Sequence, residues 1–283
     1  NVKIMKDLSN ENVIHIVKDG VQYLQFRRLL EYSDILVHAY SLGIDKNFRT
    51  ARAKTAEPIT KEEFKEANKD YADLCNAIEM NYIDLVKPNQ AHTKNVKKVD
   101  EHVNINKPDF NLKEYDLTDG LITNKSNILL ATTNADCILL MFFDPVKKAI
   151  ANVHSGWKGT LQRISVEVVE KMQKEYGSNS KDIICCICPS IRKCHFEVEK
   201  DVQTLFENEF KDLKLDEIIE RKSENKWLID TVKINEEILQ KAGLKKENII
   251  DCGICSVCNS DLIHSYRVEK EKYGLSTAII GLK

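Results

Sequence analysis

Apolar runs dominate the middle of this chain, and helical stripes flank them. Residues 138–143 form one run, closed by Asp144 and Pro145. Residues 149–153 form a second, which leads into His154. Apolar runs of this length bounded by turn residues predict buried strands. Cys137 then starts one strand and His154 ends the next. An antiparallel pairing would bring both to the same sheet edge. Gly156, Trp157, Lys158, Gly159 and Thr160 follow as a turn. Leu161, Ile164, Val168, Val169 and Met172 then recur at helical spacing, predicting a helix over 161–176 with Thr160 as its N-cap.

The flanking segments fill in a mixed pattern. Residues 13–17 and 21–26 alternate around Lys18-Asp19-Gly20, a hairpin signal because Asp-Gly favours positive φ. A strand is expected over 35–40 and a polar loop over 43–60. Thr60 and Glu63 form a capping-box pattern ahead of an amphipathic helix over 61–80, whose stripe includes Ala67, Tyr71, Leu74, Cys75 and Ile78. Strands are expected over 83–88, 119–123, 128–132, 182–188 and 276–280. Residues 97–117 read as charged and irregular. Two further helices are expected over 200–213 and 230–242, the second stopped by Gly243. No internal repeat or low-complexity linker interrupts the chain. Pattern alone therefore gives a mixture of strands and helices without a strand order.

Composition narrows the class. The 283 residues are 42% hydrophobic and 30% charged, ordinary for a globular chain able to bury a substantial core. A net charge of −2 gives no sign of a nucleic-acid partner. No apolar run approaches a membrane span, and the N-terminal residues lack the apolar stretch of a secretory signal. The nine cysteines are odd in number and clustered, unlike a secreted disulfide framework. The expectation is a cytoplasmic protein with reduced thiols.

The chemistry concentrates where the two central strands end. Cys137 facing His154 suits a nucleophile and its base, two ligands of a soft, N/S-preferring metal such as zinc, or a buried structural pair. Asn134, Asp136, Ser155 and Lys158, with two glycines at the turn, favour a cavity over a plain core. The spacing Cys252, Cys255, Cys258 lacks a convincing fourth metal ligand and is expected to be structural. Cys185 and Cys186 read as strand packing, and His195 and His264 as hydrogen-bonded structural residues.

The segments Asn134-Ala-Asp-Cys137 and His154-Ser-Gly-Trp-Lys-Gly159 are similar to the Thr-Ala-Asp-Cys and His-Ala-Gly-Trp-Arg-Gly signature of the laccase-domain family. Further matches run along the chain: Gln90 and His92 on the family's Gln-Val-His-Gly, residues 119–123 on Asp-Ala-Leu-Val-Thr, and residues 189–198 on Pro-Ala-Ile-Gly-Pro-Cys-Cys-Tyr-Glu-Val. Ser265, Tyr266 and Arg267 match Ser-Tyr-Arg near the end. Members were first labelled multicopper polyphenol oxidases and are now described as zinc-dependent purine nucleoside phosphorylases with adenosine deaminase side activity. The resemblance implies one α/β (α+β) domain over residues 1–283, with central mixed or antiparallel sheets flanked by helices. It implies zinc, rather than copper, on His92, Cys137 and His154. Three protein ligands leave a position open for catalysis, and seven histidines are too few for a multicopper cluster.

It further implies catalytic roles for Cys137, Asp136 and Lys158, and substrate contacts from Gln90, Asn134, Gly156 and Arg267. Asp136 would orient a ligating histidine or act on the substrate. Lys158 and the amides of 156–160, at a helix start, are phosphate candidates. The partners implied are a purine nucleoside and phosphate, with no nucleic acid and no membrane. The chain departs from the family where arginines are missing, near Gly43, at Val268 and at Leu275; Arg49 and Arg52 lie downstream of the first gap. Two alternatives remain open: a Cys–His hydrolase or deamidase with Cys137 as nucleophile, and a metal-binding protein with weakened catalysis.

Overall fold

The structure is a computed structural model that describes residues 6–50, 60–101 and 113–283. The expected loops over 43–60 and 97–117 lie partly outside the described residues, as do Arg52 and the first five residues.

Two six-stranded sheets pack face to face, with helices outside both. The first sheet joins β1 (Val13–Lys18), β2 (Val21–Phe26), β3 (Leu36–Leu42), β15 (Ser276–Leu282), β7 (Leu129–Asn134) and β4 (Leu85–Val86), in that order. All pairs are antiparallel except β4 with β7. The second joins β14 (Ile249–Asp251), β10 (Ile184–Ile187), β8 (Ile138–Asp144), β9 (Ala149–Ser155), β6 (Gly120–Thr123) and β5 (Val96–Lys98). Its outer pairs, β10 with β14 and β5 with β6, are parallel, and the rest antiparallel. This is the mixed α/β domain with central sheets flanked by helices that the sequence resemblance implied.

The apolar runs have a direct cause. Side chains alternate across a strand, and here both faces are covered. In β8, Leu139, Met141 and Phe143 enter the core between the sheets. Ile138, Leu140 and Phe142 enter the core beneath α4 (Ile164–Tyr176) and α7 (Thr231–Lys241). In β15, Ala278 and Ile280 face the inter-sheet core, while Ile279 packs under α2 (Lys61–Ala77). The layers therefore run α2, sheet, sheet, then α4 with α7. Asn152 of β9 bridges the sheets by donating to the carbonyls of Leu130 and Ala278 at 2.8 and 2.9 Å.

Several local expectations hold for the stated reasons. Asp19 and Gly20 both take positive φ in the β1–β2 turn, and Thr60 and Glu63 close a reciprocal capping box. Helix α2 ends three residues early because Glu79 adopts φ 61° and Met80 donates to the Cys75 carbonyl, closing the last turn. The expected helix over 161–176 is instead two. Helix α3 (Trp157–Leu161) starts at Gly156. Arg163, at φ 56°, breaks the chain before α4. Thr160 is not an N-cap: its buried hydroxyl pairs with Ser155 at 3.0 Å and accepts from Asn235 at 3.2 Å. Arg163 is anchored outward on Glu209 and Asp212.

A smaller unit stands beside the main sheets. Helix α5 (Lys200–Glu209) stops short of residue 213, and α6 (Leu215–Ile218) leads into β12 (Ile219–Ser223) and β13 (Lys226–Ile229). With β11 (Glu197–Val198) these form a three-stranded sheet around Phe206, Phe210, Trp227 and Ile229. Two further short helices are α1 (Arg27–Leu30) and α8 (Tyr266–Glu269). Among the described residues no helix is long and apolar enough to cross a membrane.

Phe142 is fully buried at the centre of β8. Phe142→Ala is expected to lower unfolding free energy by about 3–5 kcal/mol, read from the urea midpoint at unchanged slope. A loss below about 1 kcal/mol would contradict a close-packed core there.

Candidate metal centre and cleft

The β8–β9 register pairs Ile138 with Ser155 and Leu139 with His154, so Cys137 and His154 meet at one edge of the second sheet. His92 arrives from the loop before β5, at φ 62°. The imidazoles of His92 and His154 meet edge to face with centroids 5.0 Å apart. One donor atom from each of His92, Cys137 and His154 lies within 4.8 Å of the other two. Gly156 lies against the three donors, where only the absence of a side chain leaves room. A Cβ there would stand 3.1 Å from the Cys137 sulfur and 3.2 Å from the His92 ring. Two nitrogens and a sulfur converging on one point fit a metal ion that prefers N/S donors.

Asp119, at the entry to β6 and fully buried, organises the set. Its carboxylate takes the Nδ1 of His154 at 2.8 Å. It also accepts from the backbone amides of Ala91, His92 and Thr93 at 3.1, 3.0 and 2.8 Å. Its own carbonyl accepts the His154 amide at 2.7 Å. One side chain thus fixes the orientation of one candidate ligand and the unusual backbone of another. Orienting a ligating histidine was one of two roles the resemblance implied for Asp136, the other being action on the substrate; the carboxylate bonded to His154 is that of Asp119. Asp136 sits at φ 86°, and its carboxylate turns to the Ser256 hydroxyl at 2.6 Å and the Arg267 amide at 2.7 Å.

The electrostatics follow from this packing. Burial alone would raise the Cys137 thiol, but the His154 charge and hydrogen bonds from His154 and His92 bring it down to about 6. Burial opposes charge on His154, yet Cys137 and Asp119 together hold it up, at about 10. Burial likewise works against the Asp119 carboxylate, but bonds from His154 and Thr93 lower it to about 2. Near neutral pH the three form an anion–cation–anion chain.

The triad opens into a cleft of about 1470 Å³. Gln90, Asn134, Asp136, Cys137, His154, Gly156 and Arg267 all line it. The Gln90 amide is engaged with the Thr133 backbone through two 2.8 Å bonds. Asn134 donates to the carbonyls of Cys137 and Pro189 and accepts from Tyr40. Both therefore shape the wall with their polar ends already occupied. Lys158 does not join them: it is exposed, and its ammonium lies 5.4 Å from the Trp157 ring centroid. Because α3 has only five residues, the long helix expected behind Lys158 does not begin there.

Other cations occupy the cleft. Arg49 lines it, stacked 4.3 Å from the Tyr273 ring centroid. Lys87 lines it beneath Arg49, where burial, and then Arg49, draw its ammonium down to about 7. Lys272 lines it as well. Arg49 and Tyr273 bond at 2.8 Å, next to the position where the family's last arginine is replaced by Leu275. Val268, at the second missing arginine, is 47% exposed and does not line the cleft. Sequence reading overlooked Asp119 and Lys87. The signal for Lys87 was a lysine directly after the apolar pair Leu85–Val86.

Comparison with known proteins gives the family. Residues 59–283 match the family model described as multi-copper polyphenol oxidoreductase laccase, and the chain belongs to that family. The Bacillus subtilis (strain 168) protein named purine nucleoside phosphorylase YlmD is 34% identical over 166 residues, 59% of this chain. Human purine nucleoside phosphorylase LACC1 is 31% identical over 175 residues, 60% of this chain. The matches span 59% and 40% of those relatives' own lengths. The crystal structure of a Bacillus licheniformis hypothetical protein, YfiH, superposes with a TM-score of 0.81 at 22% identity, covering 95% of this chain and 99% of that one.

Two outcomes are expected. Asp119→Asn should weaken zinc binding by about 10–100-fold in chelator competition; unchanged affinity would remove Asp119 from its organising role. At pH 7.5 a Cys137 lowered to about 6 is already thiolate, while a His154 raised to about 10 carries a proton that a metal must displace. Zinc binding should then release about one proton from this pair, measured by calorimetry in buffers of differing ionisation enthalpy. No net release would contradict the pairing.

Proposed function

We propose that this chain is a zinc-dependent purine nucleoside phosphorylase working in the cleft beside the triad. Adenosine, inosine, guanosine or methylthioadenosine would be cleaved by phosphate to the free base and ribose 1-phosphate, or its methylthio analogue. Hydrolytic deamination of adenosine is a secondary activity in this reading, and the cytoplasm is its setting. The observation that carries it is the opening of a three-donor N/S site, supported by a buried Asp119, into a cleft whose lining includes aromatic rings and both cationic and acidic side chains. Zinc on His92, Cys137 and His154 would supply a Lewis-acidic centre with one position left open.

The chain's own residues account for the remaining requirements. Trp157, Phe196, Tyr266 and Tyr273 line the cleft and offer flat faces to a purine. Arg49, Lys87 and Arg267 supply positive charge for phosphate, the role first sought in Lys158. Anion binding would favour the charged form of Lys87, whose ammonium burial disfavours. Asp136 holds the Arg267 backbone and so places that guanidinium at the cleft wall.

One alternative has an observation of its own. A thiolate on Cys137 beside a charged His154 is also how a cysteine hydrolase rests. Chelation separates the two, because the thiol mechanism survives metal removal.

Chromatography of adenosine incubated with and without phosphate tests the proposal. Adenine is expected only with phosphate, and none from Cys137→Ala. Inosine in both tubes, without adenine, would move the assignment to a deaminase. Arg49→Ala is expected to raise the KM for phosphate about tenfold or more, since bonds to charged groups contribute about 1.5–3 kcal/mol. An unchanged KM would exclude Arg49 from the phosphate site.

A further inference from the structure

A second group of donors lies away from the triad. Cys194 and His195 sit in the loop between β10 and β11, and Cys255 and Cys258 in the loop after β14. One donor atom from each of the four lies within 4.8 Å of all the others. The Cys194 sulfur is 3.6 Å from that of Cys255 and 3.9 Å from that of Cys258. The Nδ1 of His195 stands 3.1, 3.8 and 3.5 Å from the sulfurs of Cys194, Cys255 and Cys258.

These separations have a simple geometric meaning. Donors bound tetrahedrally to zinc, at about 2.3 Å for sulfur and about 2.0–2.1 Å for nitrogen, lie about 3.6–3.8 Å apart along the tetrahedron's edges. The five measured edges scatter around that value. Bonded sulfurs would be about 2.0 Å apart, and a disulfide would use two of the three sulfurs while leaving the third and the imidazole without a role. The Cys255 sulfur also receives backbone amide hydrogens from Cys258 and Val257, the arrangement by which a Cys-x-x-Cys turn steadies a thiolate ligand. Cys252 stays outside the group, its sulfur accepting from Arg192 at 3.3 Å, and a neighbouring loop adds Cys194 and His195 to Cys255 and Cys258 to complete four donors.

We propose that Cys194, His195, Cys255 and Cys258 form a closed structural zinc site that pins the cleft's outer wall to the C-terminal loop. Four protein ligands leave no open position, so the site holds structure and performs no chemistry. The consequence is local. Residues 191 and 196–198, on either side of Cys194 and His195, line the cleft. Ser256, between the other two ligands, donates to Asp136 at 2.6 Å. Without the metal these two loops are joined by the short bridge of Ser190 with Cys255, bonds from Ser190 to Ile254 and from Ser256 to Ser190, and the Arg192–Asp251 ion pair.

Metal analysis of the intact, reduced chain after zinc reconstitution and desalting tests this independently of the phosphorylase reading. Two zinc ions per chain are expected in the native protein. One is expected in Cys258→Ser, which keeps the triad, and one in Cys137→Ala, which keeps the quartet. His195→Cys, which restores a four-thiolate set, should retain two and guards against a Cys258→Ser chain that fails to fold. Cobalt substitution of Cys137→Ala should give strong thiolate-to-metal absorption with a tetrahedral visible spectrum. A native stoichiometry of one that persists in Cys258→Ser, or a cobalt-loaded Cys137→Ala without thiolate absorption, would overturn the site. So would a Cys194–Cys255 disulfide in metal-free protein that no reconstitution displaces.

Discussion

The Asp119 carboxylate is the constraint on which the centre of this molecule depends. It is fully buried, and a buried charge survives only when paired and hydrogen-bonded. Its partners are an imidazole of β9 and three consecutive amides of the His92 loop. The carboxylate is stable because the loop wraps it, and the loop holds a left-handed residue because the carboxylate is there. Sheet packing provides the dry setting: every residue of β9 is buried, and His154, near its end, lines the cleft. The candidate metal ligands therefore inherit their positions from the strand register and from one acid.

The same logic explains what the sequence disclosed. Long, doubly covered strands such as β8 and β9 write apolar runs, and the Cys137–His154 pairing follows from their antiparallel register. The capping box before α2 and the Asp19-Gly20 turn are local chemistry, legible without tertiary context. Strands β5, β11 and β14 are two or three residues long and lean on neighbours for pairing, so no periodicity marks them. The helix break at Arg163 was invisible because ion pairs distant in sequence hold it. Asp119 looked like an ordinary turn residue ahead of a strand, since its partners come from positions 26–28 and 35 residues away. His195 was hidden in the same way, because its companions are about sixty residues downstream.

The missing family arginines take on a different weight once placed in space. Arg49 reaches the cleft beside Tyr273, near the position where Leu275 stands in for the last arginine. Position 268 faces solvent, so the valine there removes no charge from the lining. Lys87 adds a cation that burial keeps near its titration point. Cationic groups thus still line the cleft from different positions along the chain, beside carboxylates such as Glu199 and Asp201.

The most direct test of the central claim is the phosphate-dependent rate of adenine release while zinc is withdrawn by a chelator and returned in steps. The rate is expected to vanish with the metal and to recover in proportion to refilling of the His92–Cys137–His154 site, while Cys137→Ala stays silent throughout. Full activity in metal-free protein would contradict the account and leave the Cys137–His154 pair to act as nucleophile and base.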